Sequence, residues 1–71
     1  MGSPTERMHM IEVTHQLVDK HAGKKGEVSK EKIVALLSVQ YGIARRTALE
    51  YIRNLVAIEK IIEEDGDVWV K

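Results

Sequence analysis

The hydrophobic period of this chain changes once, from about 3.6 residues to 2, and the change falls near Lys60. Before that point apolar residues recur at helical spacing; after it come two short runs of β-formers, Lys60 to Glu64 and Asp67 to Val70, on either side of Asp65-Gly66. Asp-Gly at such a junction is the strongest local hairpin signal, because both central residues of a type I′ turn take positive φ. A helical body must therefore end in a β-hairpin. With 71 residues, 44% of them hydrophobic, the chain lies near the lower size at which a lone core suffices. The expectation is one domain over residues 1–71, mostly α with a small β-hairpin, with no room for a second.

The helical part divides at its glycines. Ser3-Pro4-Thr5-Glu6 combines a serine N-cap, proline at the first helical position and a glutamate that completes a capping box. Helix 1 is expected over residues 4–22. Met10, Ile11, Thr14, Leu17, Val18 and His21 share one face, Glu12, His15 and Asp19 lie opposite, and Gly23 ends the pattern. A loop follows, in which Val28 is the one apolar residue able to add a stub of strand. Ser29 then caps a second helix over residues 30–41, with Ile33, Val34, Leu36, Leu37 and Tyr41 on one face and Gly42 as its left-handed exit. The third helix is expected over residues 44–57, with Ala48, Leu49, Ile52, Leu55 and Val56 inward. Thr47, Glu50 and Asn54 stand opposite, flanked by Arg46, Arg53 and Tyr51. The hairpin is expected over residues 60–70, with Trp69 sealing the core and Tyr41 contributing to it.

Net charge is zero, yet the charges are unevenly spread. Residues 1–19 carry −2 and residues 57–71 carry −3, whereas residues 20–32 carry +3 and residues 33–56 carry +2. A basic face is therefore expected where the middle segments meet. The chain has no cysteine, which excludes disulfides, thiolate zinc sites and cysteine nucleophiles. No apolar run approaches the ~18 residues of a membrane span. No secretory signal is evident, so the expected compartment is the cytoplasm.

Two helices joined by a short glycine-containing turn describe a helix-turn-helix, and a hairpin directly after it makes a wing. On the stretch Gly42-Ile43-Ala44-Arg45-Arg46-Thr47-Ala48-Leu49-Glu50-Tyr51-Ile52-Arg53-Asn54-Leu55, together with Asp65-Gly66-Asp67-Val68-Trp69-Val70, the chain resembles the winged helix-turn-helix regulators of bacteria and archaea. The resemblance runs from Met10 to Val70. It differs from the family pattern at Ala44, where a small polar residue is common, and at Glu59, where glycine is common. It implies a three-helix bundle with a two- or three-stranded wing, binding double-stranded DNA as a small transcription regulator, with helix 3 in the major groove. Arg46, Thr47 and Glu50 would then face base edges, and Asn54 a base or the backbone. Arg45, Arg53, Lys30, Lys32 and Ser29 would hold phosphates, with Lys24 and Lys25 as further candidates. The acidic hairpin, with Glu63, Glu64, Asp65 and Asp67, is expected to be held away from DNA or used for protein contact.

Other readings compete with this one. The same basic residues also make an ordinary wetted helix face, and a winged helix can serve as a protein-protein assembly module without binding DNA. Catalysis is not expected, since there is no phosphate loop and no nucleophile elbow. His9, His15 and His21 are six residues apart, about 240° on a helix, and cannot converge on one metal. Glu12, His15 and Asp19 share a face but read better as a solvated pair of His15 with Asp19. No metal, cofactor or small-molecule ligand is implied. A homodimer is expected, because one module covers little DNA; Met8 and Val13, off the core face of helix 1, are the candidate contact.

Overall fold

The computed structural model describes residues 4–23 and 26–71. Helix α1 runs Pro4–Ala22, and β1 is the two-residue strand Val28–Ser29. Helix α2 spans Lys30–Tyr41 and α3 spans Arg45–Ala57, followed by β2 (Ile61–Glu64) and β3 (Asp67–Val70). The expected capping serine Ser3 and the loop residues Lys24 and Lys25 lie outside the described residues. Among those described, no helix is long and apolar enough to cross a membrane.

The three strands form one antiparallel sheet in the order β1-β3-β2. Val28 lies opposite Val68, and β2 pairs with β3 from Ile61 opposite Val70 to Glu64 opposite Asp67. Asp65 at φ 52° and Gly66 at φ 84° make the turn between them, which is the pair of positive angles that a type I′ hairpin requires. The sheet is locked to the helices at this turn, where the Lys30 N–H, first of α2, donates to the Gly66 carbonyl at 2.8 Å.

Between sheet and helices lies a core with a contribution from every element. Leu17 and Val18 come from α1, Ile33, Val34 and Leu37 from α2, Ala48, Ile52 and Leu55 from α3, and Val28, Ile61 and Val68 from the strands. Thr14 is wholly buried among them; its hydroxyl donates to the Met10 carbonyl at 2.8 Å, so no polar atom is stranded.

Four side chains fall elsewhere than their helical wheels and residue types suggest. Trp69 is only half-buried and is not among the residues packed on the core. Successive strand residues face opposite ways, so once Val68 and Val70 point at the helices, Trp69 must share the outer face with Ile62, its cross-strand neighbour. Tyr41 is 46% exposed, because it ends α2 at the rim of a groove rather than inside the bundle. Tyr51, expected to flank the open side of α3, is buried beside Ala48, Ile52 and Leu55, while Leu49 and Val56, expected inward, are partly buried and pack against the core. Val13, expected off the core, packs against it.

Candidate nucleic-acid interface

Gly42 sets the angle between α2 and α3. At φ 67° it ends α2 in a left-handed turn, its N–H donating to Ser38 O at 3.0 Å while Ile43 N–H donates to Leu37 O at 3.2 Å. Two more residues, Ile43 and Ala44, bring the chain to α3. Ala44 offers no side-chain cap, and only its carbonyl is used, accepting from Ala48 N–H at 2.9 Å.

The first turn of α3 holds no acid and carries Arg45 and Arg46 at the positive end of the helix dipole. That placement is unfavourable by about 0.3–1 kcal/mol for a charge so positioned, the reverse of what stability alone selects. Arg45 has a remedy within the chain. Its guanidinium grips Glu31 of α2 with two hydrogen bonds, at 2.5 and 2.6 Å. The hydrogen bond to Arg45 holds the Glu31 carboxyl below its ordinary range, and Glu31 correspondingly raises Arg45. Both side chains remain well exposed.

Arg46 and Arg53 are exposed and make no ion pair among the described residues. With Leu49, Glu50 and Asn54 they line one shallow hollow on the outside of α3. Their spacing of seven residues sets them two turns apart, about 10 Å along the axis. Glu50, between them, accepts a hydrogen bond from Arg7 of α1, whose positive charge offsets the one negative charge of the stripe. What remains outside α3 is a surplus of two arginines. Thr47 stands half-buried in the adjoining groove near Tyr41 and Tyr51, and Lys32 of α2 is exposed without an ion pair among the described residues.

The residues expected at the start of α2 are differently engaged. The Ser29 hydroxyl makes no cap hydrogen bond, although its backbone occupies the N-cap position. Lys30 donates its N–H to Gly66 and its ammonium to Glu63 Oε2, the latter at 2.6 Å. The hairpin thus supplies the partners of a helix end that otherwise suits a phosphate. Lys30 with Glu63 also lowers the acidity of the wing where it touches α2, leaving Glu64 and Asp65 outermost.

Two participants were not foreseeable as part of this surface. Arg7 lies 43 residues from Glu50, and Glu31 lies 14 from Arg45. Neither spacing carries a sequence signal. Among the described residues no group of three His, Asp or Glu side chains is placed to hold a metal ion. No protein-family model matches the chain, and searches of curated proteins and of solved structures found no match either.

Proposed function

We propose that this chain is a winged helix-turn-helix module that binds double-stranded DNA in a sequence-dependent way, with α3 in the major groove, and that it regulates transcription. The arrangement of three helices and a three-stranded antiparallel sheet is compatible with that architecture. The observation that carries the reading is the open stripe of Arg46 and Arg53, the two arginines of α3 that no acid of the chain neutralises among the described residues. Two turns of helix span about three base-pair steps, so Arg46 at the start of α3 can meet a base edge while Arg53 reaches the backbone that flanks the same groove.

The roles follow from what each side chain has left to offer. Arg46, in the first turn of α3, is the base reader, suited to bidentate pairing with guanine. Asn54 has an amide for adenine or the backbone, and Glu50 keeps lone pairs for a cytosine amino group beyond its bond to Arg7. Arg53 and Lys32 hold phosphates. Arg45 and Lys30 are held in reserve by Glu31 and Glu63. The outermost acids of the hairpin keep the wing off the DNA: one like-charge contact at 4 Å costs about 4 kcal/mol before screening, more than a good base contact returns. The reading is of a binding module without catalysis, acting in the cytoplasm beside the DNA.

The test is a selection of sites from random duplexes followed by titration across salt. Arg46→Ala should weaken the selected site by about 1–3 kcal/mol and relax preference at one position, while Lys32→Ala should weaken all sequences alike and reduce the salt slope by about 1. Binding that is absent at low salt, or indifferent to both substitutions, refutes the proposal and favours a protein-assembly module.

A further inference from the structure

A second surface lies on the other side of α3. The outer edge of α1 and the end of α3 enclose an apolar groove floored by Ile11 and Leu55 and flanked by Met8 and Ile58. Met8 is 70% exposed and Ile58 60%, two of the four large hydrophobic residues most open to water among those described. Glu12 and Lys60 border the same groove, both exposed. Their charges are opposite, yet among the described residues neither makes an ion pair, with the other or with anything else.

We infer that this groove is the contact surface for a second copy of this chain, related by a two-fold axis. A two-fold contact uses one patch twice, so the patch must hold both halves of every interaction it makes. This one has both: Met8 and Ile58 project beside the apolar floor of Ile11 and Leu55, and one acid and one base border it, so that Glu12 of each copy can pair with Lys60 of the other. The charges select a second copy over a partner of unrelated sequence, because the groove complements itself. Leu55 lies nine residues from Arg46 and two from Arg53, turns of about 180° and 200° around α3, and Ile58 follows just beyond the helix end. Pairing through the groove therefore leaves both arginine stripes uncovered, and the inference does not rest on the DNA reading.

Sedimentation equilibrium of the full chain without DNA tests it, at concentrations up to about 100 µM. The expected result is a reversible monomer-dimer equilibrium. Ile58→Glu, a change at an exposed position, should weaken association by about tenfold or more with an unaltered circular dichroism spectrum. Glu12→Lys alone and Lys60→Glu alone should each weaken it about fivefold, and the double variant Glu12→Lys with Lys60→Glu should restore it. A monomer throughout the range, a dimer insensitive to all these changes, or a double variant no better than the singles overturns the inference. Any of these leaves the effect of Arg46→Ala on DNA binding as a separate result.

Discussion

Glu31→Gln should strengthen the attachment of this chain to DNA by releasing Arg45 from the acid that holds it. The glutamate engages both Arg45 terminal nitrogens, so while it is ionised the guanidinium has little left for a phosphate. Counting Arg53 and Lys32 as the cations that neutralise phosphates, the slope of log K against log salt is about −1.8, at about −0.9 per phosphate. One more free arginine makes it about −2.7. Between 50 and 200 mM salt the loss in affinity then grows from about 12-fold to about 40-fold, a difference of about 3.5-fold. Fluorescence anisotropy on a labelled duplex at four or five salt concentrations resolves that change. The substitution should leave the fold intact, because the pair is solvent-exposed and such pairs add little to stability. In the double variant Glu31→Gln with Arg45→Ala the original slope should return. An unchanged slope in Glu31→Gln, or the same steepening without Arg45, would show that α3 does not approach DNA by its first turn.

Three further outcomes follow from local geometry. Glu59 sits at φ 63° just past Ile58, the cap of α3, where a side chain costs about 1–2 kcal/mol and glycine costs only its own chain entropy of about 0.5–1. Set against the loss of its exposed 3.4 Å pair with Lys71, Glu59→Gly should raise stability by about 0.5 kcal/mol, or 2–4 °C in Tm by calorimetry. A lower Tm would contradict the strain argument. Gly42→Ala should cost about 1 kcal/mol in urea unfolding, wholly through the backbone, since a Cβ there meets nothing within 4 Å. Followed by the NMR shift of its carboxyl carbon, Glu31 should titrate below the ordinary carboxylate range and move up towards it in Arg45→Ala. Because the folded value is the depressed one, the pair's contribution is complete above the unfolded pKa and disappears as pH falls through the folded one, so assays near neutrality see it intact.

Much of the fold was legible because the forces that shape it act over a few residues. The period change at Lys60, the glycine exit at position 42 and the Asp65-Gly66 turn are instructions to the local backbone, and the elements follow them closely: α2 starts at Lys30 and ends at Tyr41, while α3 starts at Arg45, one residue inside the expected boundary. The arginine stripe was legible for the same reason, as a spacing on one helix. Trp69 shows the limit. Its size argued for the core, but strand parity is set by which neighbours face the helices, and Val68 and Val70 had priority.

The pairing of charges belongs wholly to the tertiary structure. Sequence alone determined how many acids and bases the chain has and on which elements they sit; it could not say that Glu31 reaches Arg45, Glu63 reaches Lys30 and Arg7 reaches Glu50. Each of those contacts joins side chains 14 to 43 residues apart, and their distances depend on how α1, α2, α3 and the hairpin pack. A hydrogen-bonded ion pair needs its groups within about 3 Å, so packing decided which cations of the middle segment are occupied and left Arg46 and Arg53 open among the described residues.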